Sequence, residues 1–165
     1  MKSKLLLGAW LLFALMPTAF GQKSFQSGNN IINGGVGFAG IKWKGVSYNG
    51  TFEHAVTNNF GAGAHFGYSQ YSKSGYKYTA YIFGVRASYH FLTTEKADPY
   101  AGAELGFASI SHTGQNETLA YKTYPKTGLG VYGGVRYYLT PATAVYGELR
   151  LSAFAVINLG ISLKF

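Results

Sequence analysis

The chain has only three arginines, Arg86, Arg136 and Arg150, and three of its six acidic residues are Glu53, Glu104 and Glu148. All six stand in mid-stretch, where large apolar residues alternate with glycine and small polar residues. Guanidinium and carboxylate groups placed this way could bind or catalyse on a water-lined wall. Inside a protein they are tolerated only when paired and hydrogen-bonded. Three cations against three anions on one face predict an interior ion-pair network. His65 and Tyr132 share that face and are placed to join it.

A second set, His112 near Ser109, Ser111 and Glu117, has the residue types of a Ser–His–acid hydrolase. Such a site is defined by geometry rather than by proximity in sequence, so no catalytic residue is assigned. No pair of histidines has the spacing of a metal site. The absence of cysteine removes disulfides, thiolate metal centres and a lipidated cysteine. Neither a cofactor nor a metal is expected.

The elements that hold these groups are strands. Glycine is too frequent for stable helices, with 23 in the chain, and no helical period persists after Gly21. Period two recurs instead, over eight stretches: 30–42, 46–56, 60–71, 77–91, 99–112, 127–139, 144–152 and 155–165. Short connections at 57–59, 92–98 and 140–143 alternate with connections near 43–45, 72–75, 113–126 and 153–154. Most of these strands reach about ten residues, the length needed to cross a bilayer at a tilt. A sheet in lipid must close on itself to satisfy its backbone, and eight strands make a small closed barrel.

The sense of the alternation decides between a soluble barrel and a membrane barrel. Only 12% of residues are charged, against about 25% in ordinary soluble proteins. Aromatic residues make up 17%. In the fourth stretch Tyr81, Phe83, Val85, Ala87, Tyr89 and Phe91 oppose Ala80, Ile82, Gly84, Arg86, Ser88 and His90. A soluble barrel would turn its apolar side inward and cover the outside with charge. Here the polar face is mostly glycine with isolated charges, which suits a cramped interior. The apolar rows therefore face lipid.

The first 21 residues read as a segment apart. Lys2 and Lys4 precede an apolar run from Leu5 to Met16, followed by Pro17 and the small residues Ala19 and Gly21. This pattern predicts a cleaved secretory signal peptide over 1–21, followed by a short N-terminal segment over 22–29 and a barrel over 30–165. Loss of Lys2 and Lys4 would lower the formal charge of +8 by two. Most remaining lysines fall in loops or at strand ends. Lys42, Lys44, Lys73, Lys77, Lys122 and Lys126 gather at one end, with Glu117 the one acid among them. Such a basic rim would suit an anionic neighbour. Trp43 and nearby tyrosines suit an aromatic interfacial girdle. An exported barrel gives no role to nucleic acid.

The last strand carries the clearest likeness to a known family. Leu159, Ile161, Leu163 and Phe165 alternate to the final residue in "LGISLKF". With the signal pattern and eight alternating strands over nearly all of 30–165, the chain resembles the small outer-membrane barrels, namely the OmpA transmembrane domain and the OmpX group. The resemblance implies that these four residues are the signal read by the barrel-assembly machinery. It also implies that both termini face the periplasm, residues 22–29 included, in the outer membrane of a Gram-negative-type bacterium, where the basic outer rim would lie level with the phosphates of lipopolysaccharide. No peptidoglycan-binding domain of the OmpA kind is expected after Phe165. The fold predicts its function poorly. The sequence favours a non-enzymatic barrel with a plugged lumen and a structural or surface-contact role. A narrow gated channel comes second, and an outer-membrane enzyme acting on lipid third.

Overall fold

The computed structural model describes residues 23–38, 45–73, 76–114, 126–151 and 157–165. The expected signal peptide over 1–21, and Lys42, Trp43, Lys44, Glu117 and Lys122, lie outside the described residues. The side chains of Lys73, His112 and Lys126 lie outside them too. Eight strands follow in order: β1 (Asn30–Phe38), β2 (Val46–Ala55), β3 (Phe60–Lys73), β4 (Tyr76–His90), β5 (Ala97–Gly114), β6 (Lys126–Tyr138), β7 (Thr143–Leu151) and β8 (Ile157–Lys164). Each pairs antiparallel with its sequence neighbours, and β1 pairs with β8, so the sheet closes as an up-and-down barrel. The fold is all-β, as the alternation of the sequence predicts.

Closure explains the ordered end of the chain. Ile31 stands opposite Lys164 and Phe38 opposite Ile157 across the seam. Beyond the strand proper, the Asn30 amide donates to the Phe165 carbonyl at 2.8 Å, and the Phe165 amide donates back at 2.9 Å. The seam thus runs to the final residue, and the Phe165 side chain stays exposed.

The outer wall is apolar. Phe66, Phe83 and Phe107 are register partners on adjacent strands, and all three are exposed. Nearer the outer end, Tyr48, Tyr68 and Tyr81 form a ladder with ring centroids 6.5 and 5.2 Å apart. Among the described side chains of the strands, Lys77 is the sole charged group with an outward place, and it stands at the outer end of β4. Water would penalise so large an apolar exposure, whereas lipid accepts it.

On the side of the termini, side chains build the tight connections. Thr57 Oγ1 accepts from the Asn59 and Phe60 amides at 3.2 and 3.0 Å. Thr140 Oγ1 accepts from the Ala142 and Thr143 amides at 3.3 and 3.0 Å. Thr94 Oγ1 accepts from the Ala97 amide at 2.9 Å. These local bonds compete well with extended structure, so the strands stop there. The connection between β4 and β5 is shorter than the sequence suggests. Asp98 belongs to β5, because that strand begins at Ala97.

Candidate functional site

The alternation places one residue in two inside a barrel only eight strands round, and the charged side chains there meet one another. Arg136 on β6 is the centre of the half nearest the termini. Its Nη1 donates to Asp98 Oδ2 at 2.8 Å, and its Nε donates to Asn33 Oδ1 at 3.3 Å. Its Nη2 pairs with Glu53 Oε2 on β2, the strand on the opposite wall. His90 completes this group, with Nδ1 2.6 Å from Asp98 Oδ1 and Nε2 3.1 Å from Glu53 Oε1. Each nitrogen faces an acceptor-only carboxylate, an arrangement that an imidazolium satisfies with two donated bonds.

The other half centres on Glu148. One of its oxygens accepts from Arg86 Nη2 at 2.7 Å and from the Tyr100 hydroxyl at 3.1 Å. The other accepts from Arg150 Nη2 at 2.7 Å. Arg150 also reaches across the bore from β7 to β3, where its Nη1 lies 2.7 Å from His65 Nε2. Glu104 Oε1 stands 3.5 Å from Arg150 Nε, a looser ion contact. Tyr100 joins the two groups, because its ring lies 4.4 Å from the Arg136 guanidinium while its hydroxyl serves Glu148.

Glycines make room for the luminal tyrosines. Tyr100 stands opposite Gly134, Tyr132 opposite Gly102 and Tyr146 opposite Gly160 in the strand register. A methyl at Gly102 would lie 2.2 Å from the Ala87 carbonyl oxygen and 2.5 Å from the Tyr132 ring. Tyr132 can therefore lie flat along the wall. Its ring takes the Arg86 guanidinium at 3.8 Å, and its hydroxyl donates to the Ala87 carbonyl at 3.0 Å.

Glu53, Arg86, Glu104, Arg136, Glu148 and Arg150 are all buried, and none is more than 7% exposed. Among the described residues four acids are buried, not three, because Asp98 joins them at 0% exposure. The sequence pattern puts Asp98 in a connection and leaves His90 out of the network, so it misses Asp98 as a partner of Arg136 and His90 as a partner of Asp98 and Glu53. The signal was present. Asp98, Tyr100, Gly102 and Glu104 keep one parity, so extending the alternation backward turns Asp98 inward. With His90 as a cation, four positive groups would face four negative ones.

A family model described as an outer membrane protein beta-barrel domain matches residues 5–165. The chain belongs to that family. Among solved structures, this outer membrane barrel is similar to the N-terminal β-barrel domain of Pseudomonas aeruginosa OprF, at 18% identity and a TM-score of 0.61, with 85% of this chain and 98% of that one covered. It is similar to Ail, the attachment invasion locus protein of Yersinia pestis, at 15% identity and a TM-score of 0.61, with 85% and 100% covered. It is also similar to Neisserial surface protein A, at 20% identity and a TM-score of 0.64, with 83% and 96% covered. At such identities these likenesses bear on the fold alone. No curated protein sequence matches the chain.

Among the described residues no cluster of three or more His, Cys, Asp or Glu side chains could hold a metal ion. His54 is bound to Asn30 at the barrel end, with Nδ1 2.8 Å from Oδ1. The backbone of His112 lies in β5, opposite Tyr78.

Proposed function

We propose that this outer membrane barrel is a non-conducting, non-enzymatic envelope protein whose lumen is plugged by its own side chains. The observation that carries this reading is the pair of contacts across the bore, Arg136 to Glu53 and Arg150 to His65. Each joins strands on opposite walls, at two levels, and the groups between them are buried. Ions entering would have to displace charge-assisted hydrogen bonds in a site with little water, which costs more than the bilayer potential supplies. The role left to such a barrel is structural, or contact with its surroundings through the outer loops.

The partner we assign to the outer end is the phosphate layer of lipopolysaccharide, engaged by Lys42, Lys44, Lys73, Lys77, Lys122 and Lys126. The sequence gives these six lysines a single acidic neighbour, Glu117, and Lys77 stands exposed at the outer end of β4. The Yersinia pestis protein has been solved with the heparin analogue sucrose octasulfate, a dense polyanion. We assign Leu159, Ile161, Leu163 and Phe165 to recognition by the barrel-assembly machinery, and residues 1–21 to a cleaved export signal.

Planar bilayer recording tests the central claim. The purified protein should give no stable unitary conductance at any holding potential. Regular, reproducible channel openings would favour the gated-channel reading instead.

A further inference from the structure

The segment before β1 does not trail away from the barrel. Phe25 is fully buried and packs with Ile31 and Ala55 at the mouth on the side of the termini. Its ring stacks on His90 at a centroid distance of 3.5 Å and an interplanar angle of 8°. Ser24 is buried beside it; its amide donates to the Thr94 carbonyl at 2.8 Å and its hydroxyl to the Ala97 carbonyl at 3.2 Å. Lys164 Nζ, from β8, donates to the Ser24 carbonyl at 3.1 Å. The Ser27 amide donates to Asn58 Oδ1 at 3.0 Å, in the connection between β2 and β3.

The chain then turns sharply. The Gln26 amide donates to Asn29 Oδ1 at 2.9 Å, and Gly28 takes a φ of +87°, a conformation that favours glycine. This turn is what brings residues 24 and 25 back over the bore.

We propose that residues 24–28 are a strap that closes the mouth of the barrel on the side of the termini, with Phe25 as its stopper. The strap ties together the β2–β3 connection, the β4–β5 connection and the closing strand β8. Its apolar ring sits on His90, which Glu53 and Asp98 hold from either side. The ring excludes water from the end of the Arg136 group, where solvent would weaken each ion pair. The inference deepens the closed-lumen reading, but it rests on the Phe25 geometry rather than on the contacts across the bore.

The protein has no cysteine, so one introduced thiol reports alone. Ala55→Cys places it beneath Phe25, and Glu95→Cys provides an exposed reference. Both are treated in detergent micelles with a water-soluble maleimide, and heat-modifiable gel mobility confirms an intact barrel. With Phe25 present, the Ala55→Cys variant should label at least about tenfold more slowly than the reference, as local closure protects buried groups. Adding Phe25→Ala should bring it to a rate close to the reference. Adding Phe25→Leu, which keeps a smaller apolar stopper without the ring stack, should give a rate between the two. Equal labelling of both thiols with Phe25 present would overturn the proposal. So would unchanged labelling at position 55 in folded Phe25→Ala, or in Phe25→Leu if the alanine variant fails to fold. Conductance by the unmodified protein would instead sink the plugged lumen, so the two failures are distinguishable.

Discussion

Arg136 and Glu53 lie 83 residues apart on β6 and β2, opposite walls of the barrel, and their charged groups meet across the bore. Neither side chain is more than 1% exposed. The pair spans the full diameter, so it braces the barrel as well as neutralising two charges.

Removing one partner should therefore cost far more than removing both. Arg136→Ala leaves Glu53 and Asp98 facing each other with only His90 between, and should destabilise by about 3–5 kcal/mol. Glu53→Gln combined with Arg136→Met should recover much of that loss. Thermal unfolding in micelles, followed by gel mobility, measures both. Equal stability of Arg136→Ala and the parent would show that the pair contributes nothing.

Glycine positions offer a contrast within one experiment. Gly102→Ala drives a methyl into the Ala87 carbonyl and the Tyr132 ring, and overpacking of this kind costs about 1–3 kcal/mol. At Gly34 the same methyl meets nothing within 4 Å, so Gly34→Ala should change stability by no more than about 0.5 kcal/mol. A larger loss at Gly34 than at Gly102 would contradict this packing.

The apolar outer wall predicts a depth-dependent penalty. Val85 lies in mid-strand on the outward face of β4, so Val85→Lys should cost about 2–4 kcal/mol in a bilayer. Tyr137→Lys, close to the end of β6, should cost about 0–1 kcal/mol. Unfolding titrations in lipid vesicles would separate the two. A soluble barrel would show no such gradient.

Replacing Lys73, Lys77, Lys122 and Lys126 with Gln should weaken association with lipopolysaccharide and flatten its dependence on salt. Co-sedimentation with lipopolysaccharide at two ionic strengths reads this directly. Unchanged association would remove the basic rim from the account.

Deleting Phe165 should lower the yield of assembled barrel in cells while leaving refolding in detergent nearly intact. Only two backbone bonds to Asn30 and an exposed ring are lost from the folded state. An equal loss in both settings would make Phe165 a stability residue rather than a targeting one.

Strand number, the antiparallel order and the faces of most strand residues were legible in the sequence, because side chains in a strand alternate with a fixed period of two. That period turned Arg86, Arg136 and Arg150 to one side without any knowledge of neighbours. It could also have placed Asp98, had the polar run before Pro99 not read as a turn. The tyrosine–glycine pairs were less accessible. They depend on the register between strands, which sets Tyr100 against Gly134 and Tyr132 against Gly102.

The sequence by itself thus determined a closed sheet with an apolar outside, since a chain so poor in charge has few other ways to satisfy its backbone and its surface. Only the tertiary structure decided which charges meet. Pairing across a bore depends on the tilt and stagger that close the barrel, and these bring Glu53 to Arg136 and His65 to Arg150 from opposite walls. It alone also decided where the segment before β1 goes. No periodicity marks Phe25, and its place over His90 follows from a turn at Gly28 and from bonds to three separate parts of the barrel.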